Sequence, residues 1–330
     1  MIQNNNILEV RRLKKYFSTP NGLLHAVDDL SFNIKEGETL GVVGESGCGK
    51  STLGRVILRL QEATDGEVLF DGVNILKYSK SRMKNLRKKM QIIFQDPYAS
   101  LNPRLTVSQA IEAPLLIQNV FKPSQKSDLQ KRVFEIMDLV GLARRLVNTY
   151  PHELDGGRRQ RIGIARALVL NPKFIVCDEP VSALDVSIRA QILNLMQDLQ
   201  EQLGLTYLFI THDLSVVKHL SSNILVMYLG QIVEMAKPDD LFKTPIHPYT
   251  QALLSAIPIP DPDIKMKRMI LQGELTSPIN PAPGCRFAKR CIYVTDICSK
   301  KTPVLREIAE SHMVSCHIAE RFALKPIING

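Results

Sequence analysis

The sequence predicts an α/β fold, a mostly parallel sheet covered by helices, and three observations carry that prediction. Short apolar strands stand at Leu40 to Val43, Phe174 to Cys177 and Tyr207 to Ile210. Between the last two, Ile188, Ile192, Leu195, Met196, Leu199 and Leu203 recur at the spacing of one helical face. The first strand runs into a glycine-rich loop, followed by Thr52 to Ile57, which can open a helix.

That loop, Gly44-Glu45-Ser46-Gly47-Cys48-Gly49-Lys50-Ser51, fits the phosphate-binding pattern G-x-x-x-x-G-K-[ST] between strand and helix. Its glycines let successive backbone N–H groups turn inward around phosphate oxygens, and the helix N-terminus adds partial positive charge. Lys50 would contact the β- and γ-phosphates, and the Ser51 hydroxyl would coordinate Mg2+. The expected nucleotide-binding set is Gly44, Ser46, Gly47, Cys48, Gly49, Lys50, Ser51 and Thr52. The strand Phe174 to Cys177 ends in Asp178 and Glu179. Alone these would read as an exposed acidic turn. With a phosphate loop upstream, Asp178 is expected to hold Mg2+ and Glu179 to polarise the attacking water as general base.

Other elements follow in chain order. The basic run of residues 79–90 (Lys80, Arg82, Lys84, Arg87, Lys88 and Lys89) reads as a solvated helix face. Ile224 to Leu229, Gly230, and Gln231 to Glu234 read as a hairpin. Pro258, Pro260, Pro262, Pro278, Pro281 and Pro283 mark a stiff, irregular connection.

Composition bounds the function. The chain has 330 residues, 45% of them hydrophobic, enough for one large core or a main domain with an appendage. A net charge of +9 suits anionic partners without choosing among them. The absence of Trp, with only 6% aromatics, argues against a base-stacking nucleic-acid surface. Stretches such as Ile224 to Leu229 are too short to span a bilayer, and polar Met1 to Asn6 lacks a signal-peptide core. The chain is therefore expected in the cytoplasm, recruited to any membrane by another protein. Of six cysteines, Cys48 and Cys177 lie inside the phosphate-site motifs, where they suit small packing residues. The other four crowd the tail, which in a reducing compartment favours metal over disulfides.

Leu154-Asp155-Gly156-Gly157-Arg158 before the helix-forming Ile162 to Leu168 resembles the signature of ABC ATPases. Gln95 after Ile92-Ile93-Phe94 resembles their Q-loop, Ser182-Ala183-Leu184-Asp185 the D-loop, and His212 the switch histidine, all in family order. The resemblance implies a P-loop NTPase of the ABC ATPase cassette type over residues 1–237. A helical subdomain at about 92–170 would hold the Q-loop and signature, and 238–330 would form a small C-terminal extension. It further implies two cassettes facing head to tail, with ATP between the phosphate loop of one and the signature of the other. Asp155, Gly156 and Gly157 would then face the partner's nucleotide, with Asp185 at the D-loop. His212 would contact the γ-phosphate, Gln95 would sense Mg2+ and water, and Phe17, with Tyr16 second, would stack on adenine. Ordinary core packing is the lesser alternative for Phe17.

Asp155 stands where the family has Ser, and Arg158 where it has Gln. An ionised Asp155 would repel a γ-phosphate unless Arg158 or Mg2+ compensates. Either the subunit completes a specialised ATP site in an unequal heterodimer, or Asp155 caps the following helix.

Gln95 to Arg104, and Leu241 to Leu254 with its His247-Pro248-Tyr249-Thr250, resemble dipeptide and oligopeptide importer ATPases, a group shared with nickel importers. This implies a second homologous ATPase subunit, two transmembrane permeases and an extracytoplasmic substrate-binding protein, with the chain peripheral at the cytoplasmic face of the cell membrane and no nucleic acid involved. Cys285, Cys291, Cys298 and Cys316 suit four-thiolate ligation of a 4Fe–4S cluster or Zn2+, and the resemblance implies the cluster; four free thiols are the alternative.

Overall fold

Strands β1 (Asn6–Thr19) and β2 (Gly22–Lys35) lead into β3 (Thr39–Val43), the glycine loop and α1 (Lys50–Ile57). Next come β4 (Asp65–Phe70), the short β5 (Val73–Asn74), α2 (Lys80–Leu86) and β6 (Met90–Ile93). A helical stretch holds α3 (Pro97–Ser100), α4 (Val107–Ile117), α5 (Lys126–Leu139) and α6 (Gly156–Leu168). Strand and helix then alternate through β7 (Phe174–Asp178), α7 (Val186–Leu203), β8 (Thr206–Ile210) and α8 (Leu214–Leu220). The hairpin β9 (Asn223–Tyr228) and β10 (Gln231–Ala236) precedes α9 (Pro238–Lys243) and α10 (Pro248–Ser255). The tail adds α11 (Asp296–Lys300), β11 (Arg306–Ala309), β12 (His312–Val314) and α12 (Glu320–Ala323). The computed structural model describes residues 5–122, 124–257, 269–271, 273 and 277–323.

Two compact units share these elements. The first comprises Met1–Ile7, Ile34–Glu38 and Phe70–Phe209. In it β6 runs parallel to β7, from Met90 opposite Phe174 to Ile93 opposite Cys177, with β8 on the other side of β7. Every residue of β7 is buried, as a strand covered on both faces requires. On α7 the expected apolar face buries Ile192, Met196 and Leu199, while Leu203, in the last turn before left-handed Gly204, is 48% exposed. Of the basic run, Lys80, Arg82 and Lys84 are exposed on α2, anchored by buried Met83, while Arg87, Lys88 and Lys89 follow the helix.

The second unit comprises Leu8–Asn33, Thr39–Leu69 and Ile210–Gly330. Here β2, β1 and β4 are neighbours in one sheet, while β3 runs parallel to β9 in another. The β9–β10 hairpin turns on Leu229 and Gly230, both at positive φ (44° and 83°), the two-residue turn whose twist matches paired strands. Antiparallel β12 pairs with β10, and β11 with β12, so the tail extends the sheet that carries the phosphate loop. Compactness thus divides the chain differently from the expected boundary at 237. Pro258, Pro260 and Pro262 lie outside the described residues. Pro278 stands in an irregular connection that is tied to β2: its carbonyl accepts from the His25 N–H, and Ile279 bridges antiparallel to Leu24. Among the described residues no helix is long and apolar enough to cross a membrane.

The His247-Pro248-Tyr249 segment has a local physical role. The His247 Nδ1 accepts from the Tyr249 N–H at 3.1 Å, capping α10, and Pro248 occupies the first turn, where a missing N–H costs nothing. Burial pushes the His247 imidazole down to about 3 from its usual 6.5. The unfolded chain therefore takes up this proton near pH 6.5 and the folded chain only near 3. Stability is full above pH 6.5 and falls as the pH drops toward 3, by about 1.4 kcal/mol per pH unit inside that window. Denaturant unfolding between pH 7.5 and 5 should show this slope, and His247→Asn, which keeps a cap without the titration, should flatten it.

Candidate nucleotide site

The phosphate loop is shaped by contacts that only glycine permits. A Cβ on Gly44 (φ 154°) would lie 2.2 Å from the Met227 carbonyl oxygen, and one on Gly49 (φ 106°) 2.0 Å from that of Ala26. Beside Gly47, at φ 78°, no atom would lie within 4 Å of such a Cβ. Lys50, only 4% exposed, opens α1, and its Nζ donates to the carbonyls of Gly44 (2.8 Å) and Glu45 (3.0 Å). Those carbonyls fold the Lys50 side chain back onto the loop. Ser51 and Thr52 follow in the first turn of α1. Burial raises the Cys48 thiol, and Cys177 is raised further by burial and Asp178, so both are neutral packing groups.

His212 is exposed just past β8, between Thr211, whose N–H donates to the Val42 carbonyl, and Asp213, which caps α8. It thus leaves its strand at the carboxyl end, the end at which β3 enters the phosphate loop and at which open α/β sheets bind ligands. Tyr16 stacks on His25 at 3.9 Å and donates to the Asp28 carboxylate, so one of its faces is covered. Phe17 carries the Lys15 ammonium over its ring at 4.7 Å.

In the other unit, Asp178 is 3% exposed at the end of β7. Glu179 stands at φ 49°, a conformation that non-glycine residues adopt only at a cost, and its Oε2 accepts from the Gln95 Nε2 at 3.0 Å. The strand end and the expected Q-loop are thereby joined.

Asp155 is the N-cap of α6: its Oδ1 accepts from the Arg158 N–H at 2.8 Å, and its Oδ2 lies 3.3 Å from the Arg158 guanidinium. The two residues are thus paired locally, Asp155 capping the helix and standing beside the Arg158 guanidinium. Gly157 allows α6 to approach α7, since a Cβ there would sit 2.6 Å from Ile188, and at Gly156 one would sit 3.3 Å from Leu184. Asp185 caps α7, accepting from the Ile188 N–H at 3.0 Å, which holds its carboxyl below the usual range.

Cys285, Cys291, Cys298 and Cys316 lie in the tail, where the Cys285 N–H donates to the Cys298 carbonyl at 2.7 Å and burial raises the Cys291 thiol. Burial, with smaller effects from neighbouring thiols, pushes Cys285 up to about 12 and Cys316 up to about 11, so both are protonated. Cys298 Sγ lies 3.3 Å from the Thr295 hydroxyl. Among the described residues no group of three or more His, Cys, Asp or Glu is arranged to hold a metal ion. Cys285, Cys291, Cys298 and Cys316 are donors of the right kind, but the expected metal geometry is not formed among them.

A second ring of contacts around the phosphate loop was not legible in any motif. The Glu45 carboxylate takes a two-pronged bond from Arg290 (2.8 and 3.2 Å), and its N–H donates to the Tyr249 hydroxyl at 2.9 Å. Asp28 accepts from Arg286 as well as from Tyr16, and Arg286 also donates to the Leu229 carbonyl. The bonds of Glu45 to Arg290 and Tyr249 and of Asp28 to Arg286 span more than 200 residues of chain, and no local pattern announces them.

Residues 27–182 match the ABC transporter family, and residues 233–298 match the oligopeptide/dipeptide transporter C-terminal region. The chain is 50% identical over 322 residues to the oligopeptide transport ATP-binding protein AppF of Bacillus subtilis (strain 168), covering 94% of this chain and 97% of that one. It is 52% identical over 315 residues to OppF of the same organism, an oligopeptide transport ATP-binding protein, covering 95% and 97%. Among solved structures, the dimeric ATP-binding cassette MJ0796, bound to ADP and phosphate after hydrolysis, aligns with a TM-score of 0.64 at 31% identity over 70% of this chain and 98% of that one. CbiO1 from Clostridium perfringens, part of an ABC transporter complex, aligns with a TM-score of 0.64 at 31% identity over 72% and 91%.

Proposed function

The chain belongs to the ABC transporter family, with the C-terminal region of its oligopeptide and dipeptide transporters, and from that membership we propose that it binds and hydrolyses ATP to power peptide import. One observation carries the reading: a formed phosphate loop with buried Lys50 lies in the same compact unit as the C-terminal region that matches peptide transporters.

On this reading the loop N–H groups, Lys50 and Thr52 receive the phosphates, and Phe17 receives the adenine. Ser51 and Asp178 would hold Mg2+, which when bound offsets phosphate charge. Glu179 takes the proton of the attacking water, and Gln95, bonded to it, orients that carboxylate. His212 faces the γ-phosphate. The backbone of Gly156 and Gly157, at the N-terminus of α6, serves the nucleotide of a second cassette. Arg158 beside Asp155 supports a working rather than a weakened signature.

Residues 1–237 would act as the ATPase domain, with 92–170 as its helical subdomain and 238–330 as the extension. The partners would be a second, homologous ATPase subunit in a heterodimer, two permeases and, indirectly, an extracytoplasmic substrate-binding protein, with this chain at the cytoplasmic face of the membrane. Cys285, Cys291, Cys298 and Cys316 would hold a 4Fe–4S cluster, with zinc the alternative; four thiol donors in one short tail support that reading, and no step of hydrolysis is assigned to it. Pull-down of the chain from solubilised membranes should bring two permeases and a second ATPase, and iron and acid-labile sulfide on the same sample decide the cluster. Recovery with nucleic acid and no membrane protein would overturn the transport reading.

A further inference from the structure

Glu45 is held at three points inside the phosphate loop. Its carbonyl accepts from the Lys50 ammonium, its N–H donates to Tyr249, and its carboxylate is gripped by Arg290. The last two partners come from the C-terminal region, and both are themselves fixed. Tyr249 is fully buried in an aromatic cluster, its ring 4.7 Å from Tyr228 and 5.5 Å from Phe287. The Arg290 side chain is 11% exposed and lies over the Tyr228 ring at 5.9 Å. A two-pronged guanidinium–carboxylate bond, largely shielded from water, fixes orientation as well as distance. Arg286, four residues earlier, does the same on the other flank: it holds Asp28, which holds the Tyr16 hydroxyl, and it grips the Leu229 carbonyl at the β9–β10 turn. That turn also touches the loop, with the Gly230 N–H donating to the Cys48 carbonyl. Both arginines stand in one short segment, Cys285 to Cys291.

We propose that Tyr249 and Arg290 are positioning residues of the phosphate loop: by fixing Glu45 they set the place of the Lys50 ammonium, so that nucleotide affinity depends on the C-terminal region. The inference rests on the reading that this loop binds ATP. It goes beyond that reading in making residues remote from the phosphates, and the segment bounded by two cysteines, part of the loop's geometry. Without the grip, Glu45 could rotate and carry its carbonyl, and with it Lys50, away from the place where phosphate oxygens must meet the loop. Misplacement on the scale of an ångström is enough to lose such contacts.

The test is titration of the full-length chain with mant-ATP, a fluorescent ATP analogue, in Mg2+ buffer. Glu45→Gln, Arg290→Met and Tyr249→Phe should each weaken binding roughly tenfold. The Glu45→Gln/Arg290→Met double variant should bind no worse than the weaker single, because one interaction is lost only once. Arg290→Lys should fall between wild type and Arg290→Met. If Arg290→Met does not fold, Glu45→Gln and Tyr249→Phe, which preserve shape, carry the result. Affinities within twofold of wild type while Lys50→Ala abolishes binding would overturn the proposal and leave the ATP reading standing, and additive losses in the double variant would also overturn it. Failure of wild type to bind mant-ATP at all sinks both.

Discussion

Glu179→Gln lowers ATP turnover of the assembled transporter by about 100- to 10,000-fold while leaving ATP binding intact. The half-buried Glu179 follows directly on β7, and its Oε2 accepts from the Gln95 side chain at 3.0 Å. The backbone there is held at φ 49°, braced by Ser182, whose N–H and hydroxyl both donate to the Glu179 carbonyl. Gln has the same length and can still accept from Gln95, so the change removes basicity and little else. Phosphate release measured against equilibrium ATP binding checks it. Turnover near that of wild type would move the general base elsewhere.

Glu234→Ala destabilises the second unit by about 3–5 kcal/mol, the cost of breaking a buried charged network from one side. Glu234 has no exposed surface, and its carboxylate accepts from the Ile246 N–H (2.7 Å), the His247 N–H (3.0 Å) and the His312 ring (2.6 Å). One side chain on β10 thus ties the start of α10 to β12, across the pairing of Glu234 with Val314. Removing it leaves two backbone donors and an imidazole buried without an acceptor. Glu234→Gln, which restores one acceptor and introduces a misplaced donor, should recover only part of the loss. Thermal and denaturant unfolding check both, and hydrogen exchange should locate the loosening at α10 and β12. An unchanged midpoint for Glu234→Ala would contradict the network's role. Because Tyr249 sits on α10, this variant should also weaken nucleotide binding.

What the sequence made legible was what lies close together along it. The strand Leu40 to Val43, the loop to Lys50 and the helix after it form one continuous signal, and the structure forms them in that order. The same holds for Phe174 to Glu179 and for the hairpin around Gly230. The double role of Asp155 was left open by sequence because a cap and a displaced phosphate ligand use the same residue. Its 2.8 Å bond to the Arg158 N–H gives the cap a geometry. The grip of Arg290 on Glu45 and the Glu234–His312 contact were invisible, since they join residues 245 and 78 positions apart and use ordinary charged side chains. The cysteines mark the limit of such reading: their number and type suggest a metal, but ligation needs thiolates aimed at one point, and sequence says nothing about aim.

Nucleotide held by this loop drives peptide across a membrane. The most direct measurement is accumulation of a labelled oligopeptide in proteoliposomes bearing the assembled transporter, with ATP on the side of this subunit and with wild type compared to Lys50→Ala. Accumulation that requires ATP and disappears in Lys50→Ala is the predicted result, and accumulation that persists undiminished in that variant would contradict it.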